Sequence, residues 1–65
     1  MTRREFEEKV RTLRISQPHI NRITIDEKTA HEVFGKWQYK KQMTFGGFHV
    51  IVSKHLPDHS ILPGV

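Results

Sequence analysis

The segment of residues 42–52, QMTFGGFHVIV, constrains the fold of this chain most, because two adjacent glycines separate two runs of alternating apolar and polar residues. A two-residue hairpin loop needs positive φ at its central positions, and glycine supplies this without steric cost. If Phe45 faces Phe48 across Gly46 and Gly47, the bulky apolar side chains of both strands fall on one face. The segment therefore predicts a β-hairpin closed by a glycine turn.

The alternation extends in both directions from the turn, so the sequence predicts a hairpin over residues 37–53. The same register pairs Met43 with Val50 and Lys41 with Val52. The alternative function for the glycines is a phosphate-binding loop. Such a loop has glycines that open a helix, whereas here a strand follows, which favours the plain turn.

Two helices are predicted before the hairpin. Thr2 stands three residues before Glu5, a capping-box pattern, and Phe6, Val10 and Leu13 follow at helical spacing until Pro18 ends the helix. A second helix over residues 26–34 begins at a further capping-box pattern, Thr24 to Glu27, and stops before Gly35.

Alternating isoleucines between the helices, Ile23 and Ile25, predict a short strand, and Ser60 to Leu62 near the carboxyl end predict another. We therefore expect a single α+β domain over residues 1–65. It consists of two short helices packed on a small antiparallel sheet that is built around the 37–53 β-hairpin.

Composition bounds what this domain can do. The 65 residues contain no cysteine, so disulfides and thiolate metal sites are excluded, and stabilisation through self-association or a larger assembly is favoured. No apolar run approaches the length of a membrane span, and we expect no membrane partner. The predicted location is the cytoplasm, or a virion assembled there.

The sequence does not indicate an enzyme. His55 and His59 are four residues apart, but Pro57 lies between them and no third ligand is well spaced, so turn residues in solvent are favoured over a metal site. Ser53 and Ser60 lie near histidines but in no nucleophile-elbow pattern. We expect no catalytic residue, cofactor, metal or small-molecule substrate.

Two binding functions remain. For docking on a protein, the candidate residues are the aromatics and lysines at the start of the hairpin, although a core role for the aromatics is also open. They are Trp37, Tyr39, Lys40 and Lys41. The formal charge of +4 supports an alternative, a nucleic-acid-binding domain that uses basic residues around the hairpin. Its candidate residues are Arg22, Lys36, Lys40, Lys41, His49 and Lys54.

The two hairpin faces differ in character. The face opposite the aromatics is predicted to be polar and basic around a single aliphatic residue, Ile51, and could meet phosphate or water. Its members are Lys40, Gln42, Thr44, His49 and Ser53.

Residues 44–64, TFGGFHVIVSKHLPDHSILPG, resemble a strand-turn-strand segment of the major capsid proteins of tailed phages. The similarity lies in a glycine before an apolar residue, a strand with paired valines and a serine, and a Leu-Pro followed by an apolar pair and glycine. These are Gly47, Phe48, Val50, Val52, Ser53, Leu56, Pro57, Ile61, Leu62 and Gly64. His49 stands where that family usually has proline. The resemblance implies a truncated relative or a small accessory of a phage particle, working by protein contacts.

We therefore expect a small basic, non-enzymatic binding module, a phage or bacterial accessory protein that docks on a larger protein assembly.

Overall fold

The computed structural model describes residues 1–37 and 43–64. Two helices and four strands follow one another along the chain. They are α1 (Arg3–Ser16), β1 (Arg22–Asp26), α2 (Glu27–Phe34), β2 (Met43–Phe45), β3 (Phe48–Ser53) and β4 (Ile61–Gly64). The strands form one sheet in the order β2-β3-β1-β4. The predicted α+β class is confirmed.

The sheet is mixed, so the prediction of an antiparallel sheet is wrong for one pair of strands. β2 and β4 pair antiparallel with β3 and β1, but β1 and β3 run parallel at the centre. A parallel pair needs a crossover connection, and here the chain between β1 and β3 contains α2 and β2. Neighbouring apolar runs do not reveal this, because alternation reports faces and not strand direction.

The predicted turn is present. Phe45 pairs with Phe48 and Met43 with Val50, and φ is 58° at Gly46 and 88° at Gly47. The predicted start of the hairpin at Trp37 is wrong, because Trp37 lies outside the strands. The expected pairing of Lys41 with Val52 lies outside the described residues.

Gly46 is also required by packing. A Cβ at this position would lie 2.8 Å from Cγ1 of Val10, closer than real Cβ contacts come. The turn therefore rests directly on α1, and the absence of a side chain allows that approach.

Helix α1 begins at the predicted capping box. The backbone amide of Glu5 donates to the Thr2 hydroxyl over 3.2 Å, and the backbone amide of Thr2 donates to the Glu5 carboxylate over 3.3 Å. These bonds satisfy two amides that have no partner within the helix. The helix ends at Ser16, two residues before Pro18, as predicted.

The helix predicted over residues 26–34 is present as α2, Glu27–Phe34, but its cap differs from the predicted one. Its N-cap is Asp26, whose carboxylate accepts a hydrogen bond from the Thr29 backbone amide over 3.0 Å. Thr24, the predicted cap, lies in the middle of β1 between Ile51 and Leu62. The capping-box prediction at Thr24 is therefore wrong, because the strand continues for two further residues.

The core lies between the helices and one face of the sheet. Phe6 of α1 is completely buried and contacts the rings of Phe45 and Phe34 edge-on, with centroids 4.9 Å and 6.0 Å apart. The remaining buried apolar residues come from both helices and from β1 and β3. They are Met1, Val10, Ile20, Ile23, Ile25, Ala30, Val33, Phe48, Val50 and Val52. Because strand residues alternate between faces, this core leaves the other face of the sheet to the exterior.

Candidate docking surface

Two rows of outward-facing residues cross the strands of the sheet. We call this surface the open face. One row contains Thr44, His49, Arg22 and Gly64, and the next contains Ile51, Thr24 and Leu62. Neighbouring strands are about 4.8 Å apart, so residues within a row are close enough to contact one partner together.

The second row is aliphatic at both ends. Ile51 of β3 is 42% exposed and Leu62 of β4 is 55% exposed, with half-buried Thr24 between them. Single exposed aliphatic residues are ordinary on protein surfaces, but two in one row of a sheet form a small patch. Burying this patch against a partner would remove apolar surface from water.

The first row is basic. Arg22 and His49 are exposed and occupy paired positions on β1 and β3. Among the residues of the two rows, all of which are described, none is acidic. A partner that presents carboxylates or phosphates would meet no repulsion from these rows.

Asp26 limits the open face at one end. It occupies the next outward position on β1 after Thr24, yet it is only 1% exposed. Its carboxylate accepts hydrogen bonds from the Thr29 amide, from the Thr29 hydroxyl over 2.5 Å, and from the Ser60 amide over 2.9 Å. It is therefore a structural residue that links α2 to the turn before β4.

The pKa of Asp26 reflects this environment. Burial alone raises the pKa of the Asp26 carboxyl, but the hydrogen bonds from Thr29 and Ser60 outweigh burial and lower the pKa to about 2. Asp26 is thus ionised at neutral pH while it makes these bonds. The same turn contains His59, which has a left-handed φ of 61°.

The site residues predicted for protein docking are only partly placed by the structure. Trp37 is half-buried, packs against the core, and contacts the His31 ring edge-on with centroids 5.3 Å apart. Tyr39, Lys40 and Lys41 lie outside the described residues.

Of the residues predicted for nucleic-acid binding, the structure brings Arg22 and His49 together on the open face. Lys36 follows α2 and Lys54 follows β3, both exposed and outside the two rows. Lys40 and Lys41 again lie outside the described residues.

Sequence reasoning found Ile51 on the outward face but missed Leu62 beside it. The signal for Leu62 was the predicted strand near the carboxyl end. What the sequence lacked was the pairing of that strand with β1, which brings Leu62 and Ile51 to either side of Thr24.

The sequence favours turn residues in solvent over a metal site at His55 and His59. His59 Nδ1 lies 2.6 Å from the Met1 amino nitrogen, which also donates to Glu32 over 2.6 Å. In the described part of the chain, no group of three histidine, aspartate or glutamate side chains is placed to hold a metal ion.

Comparison with known proteins adds no relative. No protein-family model, curated protein or solved structure matches this chain significantly. Within residues 1–37 and 43–64, no helix is long and apolar enough to cross a membrane.

Proposed function

We propose that this chain is a small non-enzymatic binding module that docks on a larger protein assembly through the open face of its sheet. The observation that carries the proposal is the aliphatic row, in which Ile51 and Leu62 stand exposed on either side of Thr24. A small domain with a limited core gains stability when such a surface is covered.

The charge of the open face indicates the kind of partner. Arg22 and His49 lie in the row beside the aliphatic residues, and the two rows contain no carboxylate. The partner surface that fits best has a small apolar centre with acidic side chains at one side. Burial of the aliphatic residues supplies affinity, and the charges select the orientation.

The resemblance to a capsid-protein segment supports a phage assembly as the partner. Residues 44–64 contain all of β3 and β4, the two strands that contribute Ile51 and Leu62. In this proposal the chain is a phage or bacterial accessory protein, located in the cytoplasm or in a virion assembled there.

The test is recovery of a partner with the untagged chain at mild ionic strength, followed by mass spectrometry. We expect the double substitution Ile51→Ser and Leu62→Ser to abolish recovery of the partner while the circular dichroism spectrum stays native. The control Arg4→Gln removes an exposed charge from α1 and should leave recovery unchanged. A partner that binds the double variant as well as the unmodified chain would refute docking through the open face.

A nucleic-acid function is the second candidate, and the pairing of Arg22 with His49 in a row without acidic residues favours it. Fluorescence anisotropy with a single-stranded oligonucleotide over a range of salt concentrations tests it. The logarithm of the affinity should fall linearly with the logarithm of salt, and Arg22→Gln should reduce the slope by about 0.7. Absence of binding, or binding that ignores salt, would exclude this function.

A further inference from the structure

We propose that a second site lies on the other side of the molecule, in a groove between α1 and the glycine turn, and that it binds an acidic protein segment carrying an aliphatic or aromatic residue. The groove has a volume of about 620 Å³. Its wall is formed by α1 on one side and by Phe45 and Gly46 on the other. This site does not include any residue of the open face, so it stands or falls independently of the proposed function.

Two arginines give the groove its charge. Arg11 and Arg14 line it, and neither makes an ion pair within the described residues. Glu7 also lines the groove, but its carboxylate lies 3.6 Å from the Arg3 guanidinium, which reduces its effect on a bound anion. Guanidinium groups are donors that match carboxylates in charge and geometry.

The glycine turn leaves Arg14 accessible. The Arg14 guanidinium carbon lies 3.6 Å from the place where a Cβ on Gly47 would be. A second, smaller groove of about 280 Å³ lies along the same turn and is also lined by Arg14, together with Gln17 and Pro18. Arg14 thus stands between two adjoining grooves, where an extended segment could pass it.

The apolar wall selects a protein over a nucleic acid. Ile15 is 77% exposed, the most exposed large apolar residue of the described chain, and it lines the groove beside Val10 and half-buried Phe45. An aliphatic or aromatic side chain next to a carboxylate can cover Ile15 while the carboxylate meets Arg11 or Arg14. A sugar-phosphate backbone has no comparable apolar group that could cover Ile15.

The other groove beside α1 differs in charge from the groove that contains Arg11 and Arg14. It has a volume of about 690 Å³ but contains two acidic residues, Glu5 and Glu8, for one lysine, Lys9. Of these two grooves beside α1, an acidic segment is therefore repelled by this one and attracted to the one that contains Arg11 and Arg14. Lys9 provides a matched control, because it is a basic residue of the same helix that lines the wrong groove.

The experiment is a titration of the ¹⁵N-labelled full chain with a blocked pentapeptide of sequence Glu-Phe-Asp-Leu-Glu, followed by NMR. We expect amide shifts confined to residues 10–17 and 45–48. The substitution Arg14→Gln should weaken binding about threefold, and Arg11→Gln with Arg14→Gln about tenfold, as expected for the loss of exposed ion pairs. Lys9→Gln should leave the affinity unchanged, and a peptide with lysine in place of each acidic residue should not bind.

Three results would overturn this proposal. The first is an absence of shifts at millimolar peptide. The second is equal weakening by Lys9→Gln and Arg14→Gln, which would show that only the net charge of the chain matters. The third is a poly-dT oligonucleotide that produces the same shifts with higher affinity than the peptide, which would assign the groove to nucleic acid. Native dispersion of the amide spectrum in each variant confirms that folding is retained.

Discussion

The two faces of the sheet are built from the same strands, yet one face is buried and the other is largely exposed. On β3, Phe48, Val50 and Val52 are buried under the helices, while His49 and Ile51 between them are exposed. The period of two makes this possible, because each step along a strand changes the face. One face therefore forms the core, and the other is the exposed face for which we propose a binding function.

The largest expected difference in stability is between alanine substitutions at two isoleucines, which lie on opposite faces of adjacent strands. Ile23 is completely buried, so Ile23→Ala should lower the free energy of unfolding by about 2 to 5 kcal/mol through lost burial and a residual cavity. Ile51→Ala should lower it by less than about 1 kcal/mol. Urea denaturation followed by circular dichroism measures both, and equal losses would contradict the assignment of the two faces.

The next largest loss of stability is expected in the glycine turn, on the side of the sheet that the helices cover. Gly46→Ala introduces a contact with Val10 and places alanine at positive φ, so it should cost about 3 kcal/mol. Gly35 also has positive φ, but nothing lies within 4 Å of a Cβ there, and Gly35→Ala should cost about 1 kcal/mol. A larger shift of the denaturation midpoint in Gly46→Ala than in Gly35→Ala would support the contact of the turn with α1. Similar costs would indicate that the turn does not rest on α1.

Acid titration tests how much the buried carboxylate of Asp26, at one end of the open face, contributes to stability. The pKa of Asp26 is lowered from its ordinary value of 3.8 to about 2 in the folded chain. The lowered pKa stabilises the folded state only while the carboxylate is ionised. We therefore expect the free energy of unfolding to fall by about 2 kcal/mol as the pH is lowered from about 4 to about 2. Urea denaturation at a series of pH values would show this loss, and Asp26→Asn should remove it. An unchanged loss in Asp26→Asn would assign it to other carboxylates.

The smallest effect is expected at the exposed end of the aliphatic row. Leu62→Ser should change the free energy of unfolding by less than about 0.5 kcal/mol, because Leu62 is 55% exposed. Val52→Ser, on the covered face, introduces a polar group into the core and should cost several times more. Thermal denaturation of the two variants makes the comparison. A large loss in Leu62→Ser would mean that Leu62 serves the fold and not a partner.

Much of the fold follows from local sequence rules. The cap at Thr2, the end of α1 before Pro18, and the register across Gly46 and Gly47 depend on residues close together in the chain, and each was predictable. The mixed sheet was not, because the choice of β1 as neighbour of both β3 and β4 depends on where α2 carries the chain. Periodicity contains no information on that path.

The candidate site was likewise predictable from the sequence only in part. That Ile51 and His49 share the outward face followed from alternation on one strand. Their proximity to Arg22 and Leu62 depends on two strand pairings that join distant parts of the chain. The groove with Arg11 and Arg14 was missed for a related reason, since it forms only when the glycine turn docks on α1.

The central place of β1 in the sheet has a consequence for proteolysis. Both neighbours of β1 come from later in the chain, and one of them, β4, is formed by Ile61–Gly64. Cleavage in the turn at Pro57 to Ser60 would release β4 and convert an interior strand into an edge. The unpaired amides and carbonyls of β1 would then offer a template for another chain, so clipped protein should aggregate where intact protein remains dispersed.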